Sequence, residues 1–227
     1  MLRLKNNLSK IKNIQTINLE NTLLTLKSKK YFEYFQNLKI QILLDQSKLI
    51  IPNKTKYTIV LGGSRISGKN SYYYYCSNKT FSETSLTTIG IDDKTLSPSF
   101  NNNIKVKLID TARWNERFNH SIRLYLQYAD GVLLLFDITS RDDFEDLDYC
   151  LGLITDYYEL EDFPVLLIAN KIDLERKIEK EEIEKFEKDN KLIGHFEVSC
   201  KKGINVIESF DFLIDYIIKK EKEDYNK

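Results

Sequence analysis

Thr58-Ile59-Val60-Leu61-Gly62-Gly63-Ser64-Arg65-Ile66-Ser67-Gly68-Lys69 is the stretch on which the reading of this chain turns. A short apolar run over 58–61 reads as a strand and ends at Gly62. Gly63 to Lys69 then has the spacing G-x-x-x-x-G-K, and a helical pattern follows. Strand, glycine-rich loop and helix in that order form an anion cradle. The backbone N–H groups of the loop and the helix N-terminus point at phosphate oxygens. Lys69 supplies a point charge at the β- and γ-phosphates. Gly63, Ser64, Arg65, Ile66, Ser67, Gly68, Lys69, Asn70 and Ser71 are the candidate phosphate-binding residues. The usual residue after the lysine is Ser or Thr, whose hydroxyl ligates Mg2+. Here it is Asn70, whose longer amide must fit near-octahedral geometry, so weakened Mg2+ binding is expected. Ser71 stands about 100° further around the helix and is a poor substitute.

Beyond the loop the texture continues as strands alternating with helices. Residues 104–109 alternate and lead to Asp110, and GVLLLFD (131–137) and VLLIAN (165–170) are continuous apolar runs. Such runs suit strands buried on both faces. Helical patterns intervene at 116–128, 141–159, 179–189 and 204–220. The alternation predicts one α/β domain with a mostly parallel sheet flanked by helices. Polar residues at the strand ends are where such a sheet binds ligands. One strand end reads Asn170-Lys171-Ile172-Asp173. An aspartate here can accept from the N1–H and exocyclic amine of guanine, and adenine offers neither donor in that place. The Lys171 stem would lie along the ring, and Asn170 would tie loops together.

These motifs together resemble the small GTPases of the Ras superfamily, most closely the Rab branch, over 57–220. Thr88-Ile89-Gly90-Ile91-Asp92 is similar to the family's switch I. Asp110-Thr111-Ala112 with Glu116-Arg117-Phe118 is similar to the DTAGQERF of switch II, and Ser199-Cys200-Lys201 to the SAK guanine loop. Thr88 follows Lys69 by nineteen residues, the Rab spacing, and 128–139 also reads like a Rab. The resemblance implies a P-loop, Ras-like fold that binds GTP and GDP with Mg2+. It implies guanine contacts from Phe81, Asn170, Lys171, Asp173, Ser199, Cys200 and Lys201, with Phe81 open to plain core packing instead. It implies metal contacts from Asn70, Thr88 and, through water, Asp110. Lys69 and Thr88 would act in catalysis, and protein effectors and regulators would meet the switches.

The chain departs from that pattern where hydrolysis is performed. Between Ala112 and Glu116 it reads Arg113-Trp114-Asn115, one residue longer than the family. Arg113 replaces the glycine that senses the γ-phosphate. Trp114 or Asn115, depending on alignment, replaces the glutamine that orients water. An indole is a donor only, and Asn115 has a shorter reach. Slow intrinsic hydrolysis is therefore expected, with a pseudo-GTPase, nucleotide-locked or nucleotide-free, as the alternative. An adenine-specific ATPase or kinase is a third reading, against which Asp173 stands. Arg65 either crowds an activator's arginine or supplies a cation of its own. Asp93 and Ile109 replace the Phe and Trp of Rab effector surfaces. Trp114, the single tryptophan, is expected to report the nucleotide state by its fluorescence.

Composition sets the remaining bounds. The 227 residues carry 34 basic and 34 acidic side chains and are 42% hydrophobic, which excludes a disordered chain and disfavours a nucleic-acid binder. Residues 1–56 hold eleven basic against three acidic residues, a net of +8, and the remainder carries −8. The domains expected are a basic helical extension over 1–56, a Ras-like domain over 57–220 and a short charged tail over 221–227. Leucines and tyrosines at helical spacing predict two or three helices before residue 51, the last over 29–46. They either pack on the domain or serve as a membrane-surface or targeting segment. Three cysteines, at 76, 150 and 200, exclude a disulfide scaffold and leave the end of the chain without a prenylation site. Membrane contact is then expected only through the N-terminal segment or a partner. A cytoplasmic monomer, peripheral on endomembranes, follows, and no run approaches a membrane span.

Overall fold

The computed structural model describes residues 54–81, 91–111, 114 and 119–225. The chain divides into two compact units, Met1–Asn53 and Lys54–Lys227. The helices expected before residue 51 lie outside the described residues.

Six strands and five helices are described in the second unit: β1 (Lys56–Gly63), α1 (Lys69–Asn78), β2 (Ile91–Leu96), β3 (Lys105–Thr111), α2 (Asn119–Leu126), β4 (Gly131–Asp137), α3 (Arg141–Thr155), β5 (Val165–Asn170), α4 (Lys180–Asp189), β6 (His195–Val198) and α5 (Val206–Tyr225). The strands form one sheet in the order β2-β3-β1-β4-β5-β6. Only the β2–β3 pair is antiparallel. This is the Ras-like architecture expected from the sequence.

Every residue of β4 and β5 is buried, as their unbroken apolar runs require. Successive side chains enter opposite cores. Val60, Val132, Leu134 and Phe136 meet α2, α3 and α4 through Ile122, Leu151 and Ile183. Ile59, Leu61, Leu133 and Leu135 meet α1 and α5 through Tyr72, Leu213 and Ile217. The edge strand β2 is mostly exposed and carries Asp92, Asp93 and Lys94, charges that discourage pairing with another chain.

Register then brings the chemistry to one edge. Asp110 of β3 pairs with Leu61 of β1, just before the glycine loop. Asp137 of β4 pairs with Asn170 of β5, which pairs with Val198 of β6. The carboxyl ends of five strands therefore open on the same side of the sheet.

Three boundaries differ from the sequence reading. Lys54 pairs with Asp130 and Glu221, and β1 begins at Lys56, so these lysines belong to the second unit rather than to the basic extension. The charged residues from 221 continue α5 to Tyr225 instead of forming a tail. Glu221 there accepts the Tyr57 hydroxyl at 3.0 Å and the Lys54 ammonium at 2.9 Å. The helical pattern over 141–159 also stops sooner, at Thr155, with Asp156 as C-cap.

Candidate functional site

The glycine loop needs its two motif glycines for steric reasons. Gly63 has φ +128° and Gly68 φ +89°, a region that side chains rarely tolerate. A Cβ on Gly63 would lie 2.2 Å from the Leu135 carbonyl oxygen, and one on Gly68 2.2 Å from Asn170 Nδ2. Within the loop, Ser67 Oγ donates to the Ser64 carbonyl at 3.0 Å. Lys69 is 6% exposed, and its ammonium donates to the carbonyls of Gly63 at 2.9 Å and Ser64 at 2.5 Å. The ammonium is thereby held inside the curve of the loop, where an anion would sit. Arg65 and Ile66 stand exposed at its tip, and Asn70 and Ser71 are half-buried in the first turn of α1.

Asn170 links three segments. Its Nδ2 donates to the Ser67 carbonyl of the phosphate loop at 2.9 Å. Its Oδ1 accepts from the backbone N–H of Lys171 at 2.8 Å and, more loosely, from that of Cys200 at 3.4 Å. Lys171 has φ +70°, a conformation that costs a non-glycine residue energy and marks a constrained position. Asp173 Oδ1 accepts the Ser199 hydroxyl at 2.5 Å, and Ser199 Oγ accepts from the Lys202 backbone at 3.1 Å. The Asn170–Asp173 loop, the 199–202 turn and the phosphate loop thus form one hydrogen-bonded unit. Cys200 is buried at 3% exposed, and burial pushes its thiol up to about 12, so it is an inert packing group. Phe81 is half-buried against the same core cluster, and Lys201 is exposed.

The other end of the site is built differently. Asp110 is fully buried at the end of β3. Trp114 is 2% exposed and belongs to the core under α2 and α3. Its Nε1–H donates to Thr111 Oγ1 at 2.8 Å, and the Thr111 hydroxyl donates to the Leu61 carbonyl at 3.2 Å. Its backbone N–H donates to the Gly63 carbonyl at 3.3 Å. The indole edge fills the space where a Cβ on Gly62 would be, 3.0 Å away. Trp114 is one of the two residues that the sequence left open for catalysis. Its single donor is spent and its ring is inside the protein. Ile109 is likewise buried, at 2% exposed. Asp93 is exposed and is paired across the strands with Lys107 at 3.5 Å. Thr88, Arg113 and Asn115, with the rest of the switch motifs at 89–90, 112 and 116–118, lie outside the described residues.

Two acids that the motifs do not assign, Asp137 and Asp143, stand beside the Asn170–Asp173 loop. Asp137 ends β4 and is 3% exposed. Its Oδ2 accepts the Lys171 ammonium at 2.5 Å, and its Oδ1 accepts Thr139 N–H at 2.9 Å and the Thr139 hydroxyl at 2.7 Å. Asp143, in the first turn of α3, accepts the Asp137 backbone N–H at 2.6 Å. Burial, with help from the Asp137 charge, pushes the Asp143 carboxyl up to about 6. The signal for Asp137 was its place at the end of an apolar strand parallel to the one ending in Asn170.

The buried Asn70 amide Oδ1 and the buried Asp110 carboxylate are oxygen donors of the kind that suits a hard ion such as Mg2+. Among the described residues no group of three or more His, Cys, Asp or Glu could hold a metal.

The sequence matches the model of the Ras family over residues 58–219. Similar proteins include the mouse Ras-related protein Rab-12, 36% identical over 172 residues, covering 74% of this chain and 70% of the relative. Ras-related protein Rab-32A of Dictyostelium discoideum is 31% identical over 74% of this chain and 81% of its own length. Human Ras-related protein Rab-3A is 31% identical over 73% of this chain and 74% of its own length. The glycine loop, the Asn170–Asp173 loop and the 199–202 turn all lie within the matched span. On that match and those relatives, the chain belongs to the Ras family as a Rab-like small GTPase.

Proposed function

We propose that this protein is a GDP/GTP switch, acting in vesicle transport or signalling, whose own hydrolysis of GTP is slow. One observation carries the reading: the two ends of the site are built to different purposes. The base end is wired through Asn170, while in the other end Trp114, one of the two residues that could replace the family's glutamine, is a buried indole. The loop over Gly63–Ser71 takes the phosphates, with Lys69 at the β- and γ-phosphates. Asp173 selects guanine, Phe81 packs at its edge, and Ser199 orients Asp173. The backbone N–H of Cys200, with Lys201 beside it, faces the base oxygen.

Asn70, Thr88 and, through water, Asp110 would hold Mg2+, which when bound neutralises charge on the phosphates. The amide of Asn70 in place of a hydroxyl weakens that hold. Asn115 has an amide that can orient water, at a shorter reach. Arg65, exposed at the loop tip, crowds an arginine brought by an activator. The Ras-like domain, matched over 58–219, meets its effectors and regulators as a monomer. The basic segment or a partner brings it from the cytoplasm to endomembranes, where Lys and Arg are attracted to anionic headgroups.

Single-turnover hydrolysis of GTP without an activator tests the reading. A rate well below that of ordinary small GTPases is expected, and an ordinary rate overturns it. A second reading, a pseudo-GTPase that is locked or empty, is favoured by the backbone bond from Trp114 to Gly63, which joins the start of switch II to the phosphate loop. Mass analysis of nucleotide released from denatured protein separates the two. Absence of guanine nucleotide, with no thermal shift on adding GDP, supports the second.

A further inference from the structure

Asp137 is an almost fully buried anion whose strongest partner is a residue of the base-binding loop. Its carboxylate receives three donors: the Lys171 ammonium at 2.5 Å, Thr139 N–H at 2.9 Å and the Thr139 hydroxyl at 2.7 Å. Its backbone is gripped in turn by Asp143 Oδ2 at 2.6 Å. The side chain of Asp137 is 4% exposed and that of Lys171 32%, so the pair is only partly screened by water. Strand pairing sets this geometry, because Asp137 stands opposite Asn170, the neighbour of Lys171.

Lys171 is held at both ends. At its backbone, φ is +70° and the N–H donates to Asn170 Oδ1 at 2.8 Å. At its tip, the ammonium meets Asp137. A lysine stem between two fixed ends has lost its rotamer freedom on folding, so it loses little more when a ligand lies against it.

We propose that Asp137 is a positioning residue of the base site, holding the Lys171 ammonium so that the lysine's methylene stem stands ready as a platform for one face of the purine. The inference rests on the guanine-nucleotide reading. Asp137 need not touch the nucleotide; it acts through Lys171. Thr139 and Asp143 fix Asp137 in turn, so the platform is supported from β4 and α3 as well as from its own loop.

Release of a fluorescent GDP analogue from the full-length protein tests this. Asp137→Asn is expected to speed release roughly three- to tenfold, the size of re-ordering one long side chain at each binding event. Asp137→Glu, which keeps the charge, should recover part of the loss. The decisive measurement is the double-mutant cycle with Lys171→Met, which keeps the stem and removes the charge. In that background Asp137→Asn should add nothing. Additive effects, or no effect of Asp137→Asn on a wild type that binds GDP, overturn the proposal and leave the guanine reading intact. A wild type that binds no guanine nucleotide overturns both. If Asp137→Asn does not fold, Lys171→Arg against Lys171→Met decides. Arginine can keep the ion pair and should stay near the wild-type rate, whereas methionine should not. A wild-type rate in Lys171→Met overturns the proposal.

Discussion

The two ends of the nucleotide site use opposite means to hold their geometry. At the base end, Asn170, Lys171, Asp173 and Ser199 are held by directional hydrogen bonds and an ion pair. At the other end Trp114 is held mainly by burial, with one indole bond and one backbone bond. Directional bonds preserve recognition, because a donor or acceptor moved by an ångström no longer matches its ligand. Burial preserves only volume, and a residue that fills volume is withdrawn from the solvent in which an attacking water must be oriented. The contrast teaches that one site can fix its two ends by different physical means.

The largest effect expected from breaking this contrast is at Trp114. Trp114→Ala should cost about 3–5 kcal/mol of stability, the range for emptying a buried aromatic site. A thermal melt of the nucleotide-free protein checks it, with a fall of roughly 10 °C or more for a domain of this size. A melt unchanged within a degree would mean that Trp114 is not part of the core.

Next in size, Asn170→Ala removes the link among three segments. Each buried bond lost costs about 1–3 kcal/mol. GDP release should therefore accelerate by about two orders of magnitude, with a smaller loss in the melt of the empty protein. Equal losses in both would mean that Asn170 supports the fold and not the site.

A third, smaller effect is a pH dependence at Asp143. Its carboxyl is raised to about 6 in the fold by burial, against an ordinary 3.8. Between those values the folded state holds a proton that the unfolded state has released. Stability from this group is thus full below pH 4 and declines as pH rises through 6. Asp143→Asn cannot titrate, so its melting temperature should gain on wild type between pH 4 and 7. A constant difference across that range would refute the assignment.

The smallest effect sharpens the comparison by its absence. The sequence led us to expect that Trp114 fluorescence follows the nucleotide state. A buried indole whose N–H is bound to Thr111 should instead emit alike with GDP and with a GTP analogue. A clear spectral change with both nucleotides bound would show that this end of the site opens.

Much of the fold was legible because its signals are local. Gly63, Gly68 and Lys69 announce their turn by residue type, and the runs at Gly131–Asp137 and Val165–Asn170 announce buried strands by composition. The Asn170–Asp173 motif was legible for the same reason, since its residues lie within four positions of one another. The roles of Trp114, Ile109 and Asp137 were not, because each depends on what lies across the sheet. Trp114 reads as a catalytic substitute until the bare Gly62 beneath it is seen to make room for the ring. Asp137 reads as the end of a strand until β4 and β5 are paired. The residues from 221 read as a solvated tail because charge runs usually are, yet Glu221 has Tyr57 and Lys54 as partners 164 and 167 residues away.

By itself the sequence determined the glycine loop, the strands that carry it and the family to which these motifs belong. These follow from short-range sterics and from hydrogen-bond inventories that travel with the residues. Only the tertiary structure decided that the lone tryptophan is a core residue, that Asn170 binds three loops into one and that Asp137 anchors Lys171. Those outcomes depend on strand order and register, which bring together side chains 34 to 103 residues apart and determine which of them reach solvent.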